Sequence, residues 1–297
     1  MSKNTASTLS GRTIRCILFD LGETLWTHIY QDDTLAKVAN ERALVLLRAC
    51  VSAEALDGAD LPALRDGFRA AVIIKTRELA GKTPGYEPDF ARVISEVLPQ
   101  FALPPLDRTS CAELFEAIRI PILGSRRLFA DTLSTLAALQ QRGFLLGVVT
   151  NRHWGGPFFL HEMQSLGLFD YFAPPCIAIS ADLGIRKPNP AIFLHTLNAL
   201  NVAPREAAMV GDSLHADIAG AKGLDMYAVW KPKSHQRAAF MASHIESAQD
   251  VDDDTFFSYV LEREDEKYQQ KHEPVRPDVT IEHVRDLLEI FVKVGPQ

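Results

Sequence analysis

The apolar run Ile14, Cys16, Ile17, Leu18 leads through Phe19 to one carboxylate, Asp20, and the chain then turns at once through Leu21-Gly22-Glu23-Thr24-Leu25. The run predicts a short buried strand with Asp20 at its carboxyl end. A carboxylate among apolar walls is costly unless a cation or hydrogen bonds compensate it. The fold must therefore bring compensating groups to that strand end. Three later segments offer them: Gly147-Val148-Val149-Thr150-Asn151, then Arg186-Lys187-Pro188-Asn189-Pro190, then Met209-Val210-Gly211-Asp212-Ser213 with Asp217 five positions beyond Asp212.

From Gly143 onward, short β-rich runs alternate with helical ones. Strands are expected at Phe144 to Val149, Cys176 to Ile179, Ala207 to Val210 and Met226 to Trp230. Helices are expected near Phe158 to Leu166, Ala191 to Leu200 and Leu214 to Lys222, the last ended by Gly223. A final strand, Asp278 to Ile281, and helix, His283 to Phe291, complete the series. Such alternation implies a parallel sheet covered on both faces, that is, a Rossmann-like doubly wound α/β core. Ligands of open parallel sheets bind outside the carboxyl ends of the strands, where Asp20, Thr150 and Asp212 all fall.

Residues 27–125 read differently. Apolar positions recur at helical spacing over Leu35 to Ala49 and Leu61 to Leu79, with shorter helices near Phe90 to Leu98 and Cys111 to Ile118. Residues 231–273 break the strand–helix alternation and read as an insertion in the core. It holds Asp250-Val251-Asp252-Asp253-Asp254 and the charged run Glu262 to Lys271. A solvated excursion is the favoured expectation there, since acidic runs are usually solvated. Phe256, Phe257, Val260 and Leu261 could instead form one face of a docked helix.

Taken in order, these segments resemble the haloacid dehalogenase-like hydrolase superfamily, most of whose members are Mg²⁺-dependent phosphatases. The likeness covers residues 13–26 and 126–230 well, and Pro277 to Phe291 more weakly. It implies a core of residues 1–26, 126–230 and 274–297 with an inserted all-helical cap at 27–125, hinged near Trp26 to His28 and Gly124 to Arg127. By the same resemblance Asp20 is the nucleophile, Thr150 and Asn151 bind the phosphoryl group, and Lys187 bridges nucleophile and phosphate. Mg²⁺ would be held by Asp20, the Gly22 backbone oxygen and Asp212, with Asp217 supporting the site.

One position departs from the pattern. Family phosphatases usually carry a second Asp two residues after the nucleophile as general acid and base; here it is Gly22, with Glu23 beside it. Glu23 could reach the leaving oxygen, the substrate could carry a good leaving group, or turnover could be slow. Each residue also has a plainer reading. Asp212 and Ser213 could cap a helix, Thr150-Asn151 could start a turn, and Lys187 could be a surface lysine. Asp217 could bond only local backbone, and Glu23 could face solvent.

The chemistry explains the set. At ~4 Å, each pair of unit like charges costs on the order of 4 kcal/mol at an effective dielectric of 20, so an attacking carboxylate and an anionic phosphate need positive charge between them. Mg²⁺ and Lys187 would supply it. The leading expectation is a Mg²⁺-dependent phosphatase of a small phosphorylated metabolite, working through an aspartyl-phosphate. The alternatives are a catalytically weak regulatory or binding protein and a 2-haloacid dehalogenase; the latter uses no metal, so Asp212 and Asp217 speak against it.

Composition narrows the partners. A net charge of -7 argues against nonspecific nucleic-acid binding, and no stretch approaches the ~20 apolar residues a membrane span needs. Cys16, Cys50, Cys111 and Cys176 are widely spaced with no CxxC pair, which fits free thiols and a cytoplasmic setting. A homodimer is compatible with the sequence.

Overall fold

A computed structural model of the chain describes residues 8–9, 11–29, 33–243, 252–268, 271 and 273–292. Two units emerge: Met1–His28 with Arg126–Gln297, and Ile29–Ser125.

In the first unit, β1 (Thr8–Leu9) and β2 (Arg12–Thr13) form a small hairpin. The central strand β3 (Cys16–Phe19) is buried at every position, as its unbroken apolar run demands. Next, β4 (Trp26–His28) pairs antiparallel with β5 (Arg126–Leu128). The two stretches expected as hinges are thus a hydrogen-bonded ribbon, a pairing across about a hundred residues that no local pattern announces.

The remaining strands are β6 (Leu145–Thr150), β7 (Ile177–Ile179), β8 (Ala207–Gly211), β9 (Tyr227–Trp230) and β10 (Val279–Thr280). Together with β3 they form a six-stranded sheet in the order β10-β9-β8-β3-β6-β7, every neighbour parallel. Counted within the sheet this is the doubly wound 3-2-1-4-5-6 order. The expected fold class is the observed one. The chain leaves β3 in one direction for β6 and later returns on its other side as β8. The crevice where a ligand can enter therefore lies at the carboxyl end of β3.

Two expected helices differ. Leu214–Ala219 is a wider π-helix turn that tightens into an α-helix only over Gly220–Gly223. His283 to Phe291 holds only a 3-10 turn, Val284–Asp286, and one α turn, Leu287–Ile290.

The insertion is not a solvated excursion where it is described. Helices Ser234–Ser243 and Asp253–Tyr268 form there, and Phe256, Phe257 and Val260 are buried. Phe256 stacks on Trp230 at 5.6 Å between ring centres and meets Phe240 at 5.1 Å. Apolar side chains spaced for one helix face outweigh the local charge. Asp250, Val251 and part of the run to Lys271 lie outside the described residues.

The second unit is helical: Asp33–Cys50, Ala53–Asp57, Leu61–Lys82, Phe90–Val97 and Arg108–Ala117. Asp60, Asp89 and Asp107 each cap a helix start by accepting backbone N–H bonds. Leu64, Phe68, Val72, Thr76 and Leu79 bury one face of the long helix. Buried Asn40 accepts from Arg69 N and donates to the Arg65 carbonyl, both at 2.8 Å, pinning the first helix to the third.

Candidate active site

Asp20 stands one residue beyond Phe19, which is in register with Val148 of β6 and Val210 of β8. Its N–H donates to the Val210 carbonyl at 2.9 Å, so the nearest residue after β3 is still held by the sheet. Thr150, 2% exposed, ends β6, and Asp212 follows β8 directly. Three strand ends thus converge at the switch point.

Lys187 reaches them from the segment ahead of helix Pro190–Leu200. Only 3% exposed, its ammonium meets Asp20 Oδ1 at 2.7 Å and Asp217 Oδ1 at 2.6 Å, and donates to the Val149 carbonyl at 2.7 Å. The contacts to Asp20 and Val149 are hydrogen bonds, and that to Asp217 Oδ1 is an ion pair without hydrogen-bond alignment. The plain reading of Lys187 as a surface side chain does not survive. Asn151 holds this segment in place: its Nδ2 donates to the Lys187 carbonyl at 3.0 Å and its Oδ1 accepts the Lys187 N–H at 2.8 Å.

Oxygens of Asp20, Asp212 and Asp217 all lie within 4.8 Å of one another. The Mg²⁺ octahedron, with bonds of about 2.0–2.1 Å, spans roughly 4 Å between opposite ligands. The set therefore fits a hard divalent cation in its donor chemistry, and the carboxylates need close in by only a few tenths of an ångström from the 4.8 Å limit to share one. Asp217 is tightly seated, since its Oδ2 accepts the Ser213 N–H at 3.0 Å. A Cβ on Gly211 would lie 2.2 Å from Asp217 Cγ, which is why that strand end requires glycine. Gly211→Ala is expected to push Asp217 aside and cost ~1–3 kcal/mol, read by urea denaturation. Unchanged stability would show that Asp217 can move freely.

The electrostatics are those of a crowded buried cluster. Burial raises Asp20 above the ordinary carboxyl value, Lys187 opposes this, and Asp212 adds to it. Burial likewise pushes Asp217 up to about 7 despite Lys187. Burial alone would discharge Lys187, but Asp20 and Asp217 outweigh it and hold it protonated. Lys187→Met leaves two buried carboxylates without their partner. A loss of ~3–5 kcal/mol is expected in chelator-treated protein, and a loss below about 1 kcal/mol would contradict this balance.

Glu23 adopts a left-handed backbone, φ +57, unusual for a side chain of its size. Its two carboxylate oxygens accept from Thr27 Oγ1 at 3.1 and 3.2 Å. Gly22 sits beside Trp26 in the turn, and a Cβ there would meet only Asp20 Oδ2, at 4.0 Å. Arg152 stacks over Phe159 at 4.2 Å, and Trp154 is buried.

Three further residues belong to this site. Lys233 pairs with Asp212 Oδ2 at 2.9 Å. Lys231 is buried, donates to the Glu23 carbonyl at 3.0 Å and lies 4.0 Å over the Phe129 ring; burial lowers its pKa. Both follow the end of β9, so the strand-end argument that marks Asp20 would have found them. Glu264 contacts the turn after Asp212 from the insertion, and nothing near it in sequence signals that.

The doubly wound α/β core gathers these acids at its switch point. Residues 14–225 match the haloacid dehalogenase-like hydrolase family, and the chain belongs to it. Over 97 residues it is 42% identical to a glyceraldehyde 3-phosphate phosphatase of Pyrococcus furiosus, covering 32% of this chain and 38% of that protein. Over 158 residues it is 35% identical to a phosphoserine phosphatase of Thermus thermophilus, covering 50% of this chain and 59% of that one. The chain thus spans less than two thirds of either relative. A HAD phosphatase from Thermococcus onnurineus shares the fold, with TM-score 0.54 and 23% identity over 95% of this chain and 100% of that one. No described helix is long and apolar enough to cross a membrane.

Proposed function

We propose that the chain is a divalent-cation-dependent phosphatase of a small phosphorylated metabolite, with Asp20 as its nucleophile. The observation that carries this is the meeting of Asp20, Asp212 and Asp217 oxygens within 4.8 Å beside a buried Lys187 paired with two of them. The names of the two phosphatase relatives support the substrate class. In this reading residues 27–125 are the cap expected from the resemblance.

Asp20, Asp212 and the Gly22 carbonyl would hold Mg²⁺, with Asp217 in support; when bound, the ion supplies positive charge that lets two anions approach. Lys187 stands as a fixed cation between Asp20 and Asp217 and neutralises charge as the phosphoryl group arrives. The N–H groups of Glu23, Thr24 and Leu25 bond within the turn, so Thr150 and the N–H groups nearest Asp20 would donate hydrogen bonds to the equatorial oxygens of the phosphoryl group. An Asp20 oxygen forms the new bond to phosphorus, and the bond to the leaving oxygen breaks with its electron pair going to that oxygen. Water then attacks phosphorus, the bond to the Asp20 oxygen breaks with its electron pair returning to the carboxylate, and phosphate leaves with the water protons shared between it and solvent.

The leaving oxygen must gain a proton or bear its charge unaided. With Gly22 bare and Glu23 bound to Thr27, the structure favours substrates whose leaving group needs little help, such as an acyl or anomeric phosphate. Phosphate release from a metabolite panel, with Mg²⁺ and with chelator, tests this. Mg²⁺-dependent release is expected. Metal-independent chloride release from a 2-haloacid would replace the reading with a dehalogenase, and inertness throughout would favour a binding protein.

A further inference from the structure

An α-type helix start leaves backbone N–H groups that need partners from outside the helix. At the turn carrying Asp212 and Asp217, four consecutive donors are satisfied, and they are satisfied in pairs. Ser213 N donates to Asp217 Oδ2 at 3.0 Å, and Ala216 N donates to Ser213 Oγ at 3.1 Å; these bonds are local. Leu214 N donates to Glu264 Oε1 at 3.1 Å, and His215 N donates to Glu264 Oε2 at 2.9 Å. The Ser213 hydroxyl also donates to Glu264 Oε2 at 3.1 Å. One carboxylate from about fifty residues downstream thus closes half of the turn.

The helix that carries Glu264 is itself anchored to the site. Phe256, Val260 and Glu264 recur every four residues and so share one helix face. Phe256 stacks on Trp230, whose indole N–H donates to the Asp212 carbonyl at 3.0 Å. Trp230 therefore joins the docked helix to the backbone of Asp212, while Glu264 joins it to the next three residues. Glu264 is only 5% exposed, and such a buried carboxylate behind two other acids is costly as mere packing. Its negative charge and its grip on the turn both favour a cation in front of Asp212.

We propose that Glu264 is a positioning residue: it fixes the turn from Asp212 to Asp217 and thereby sets the affinity of that acidic pair for a divalent cation. This rests on the reading of the acidic cluster as a metal site. It gives the insertion at 231–273 a role in the chemistry without touching substrate.

The test uses the full chain and Mg²⁺ alone, titrated calorimetrically without substrate. Partners that orient metal ligands typically change metal affinity by about 10–100-fold when removed. Glu264→Ala is expected to weaken Mg²⁺ binding by about that factor. Glu264→Gln, which keeps one acceptor, should fall between the two and guards against simple misfolding of the Ala variant. Wild-type affinity in folded Glu264→Ala would overturn the proposal. If wild type binds Mg²⁺ and Asp212→Asn does not, such a failure is that of Glu264 alone. If wild type takes up no Mg²⁺, the metal reading falls first and the proposal with it.

Discussion

Replacing Asp20 by Asn is expected to abolish phosphate release while leaving the fold intact. Loss of an enzymatic nucleophile can cost on the order of 10⁶ in kcat, so residual turnover should fall to background. The fold should tolerate the change for a structural reason. Lys187 keeps its ion pair with Asp217 at 2.6 Å and its hydrogen bond to the Val149 carbonyl at 2.7 Å. Asparagine also keeps the shape of the side chain and removes a buried charge whose burial opposes ionisation. Thermal unfolding beside a phosphate-release assay separates the two effects. A folded Asp20→Asn protein with wild-type turnover would remove Asp20 from the chemistry, and an unfolded one would show that its charge holds the core together.

Gly22→Asp should act in the opposite direction. A positioned general acid–base group is typically worth ~10²–10⁴-fold, and the turn has room for one. The new Cβ would meet only Asp20 Oδ2, at 4.0 Å, and Gly22 is not among the glycines with positive φ. The gain should be large for alkyl phosphates, whose leaving oxygen needs a proton, and small for acyl or aryl phosphates, whose leaving oxygen does not. Equal effects on both classes would mean that proton transfer is not what the wild type lacks. A wild type already fast on alkyl phosphates would point back to Glu23 as donor, and Glu23→Gln would then slow those substrates selectively.

Much of this site could be read from the chain because its residues announce themselves locally. Asp20, Thr150 and Asp212 each end or follow an apolar strand, so the sheet carries them to one edge whatever else the fold does. Lys187 sits next to Pro188 and near Pro190, in a segment that cannot continue a helix. Gly211 is visible as a glycine, although its reason, the Asp217 carboxyl 2.2 Å from a would-be Cβ, is tertiary. What stayed hidden depends on distant pairings. Glu264 lies in a charged run and looks solvated until Phe256 and Phe257 are seen docked on Trp230. The pairing of Trp26–His28 with Arg126–Leu128 joins segments whose own residues show no strand pattern. The π-helix turn over Leu214–Ala219 differs from an α-helix by one register step, which apolar spacing does not resolve.

Soaking crystals with Mn²⁺ and locating the ion by its anomalous scattering asks directly whether the acids after β3 and β8 grip one cation. The expected result is a single peak within about 2.6 Å of a carboxylate oxygen of Asp20 and of Asp212, with Lys233 withdrawn from the latter. A map in which Lys233 still pairs with Asp212 and no peak touches Asp20 would contradict it, and with it the catalytic role given to this cluster.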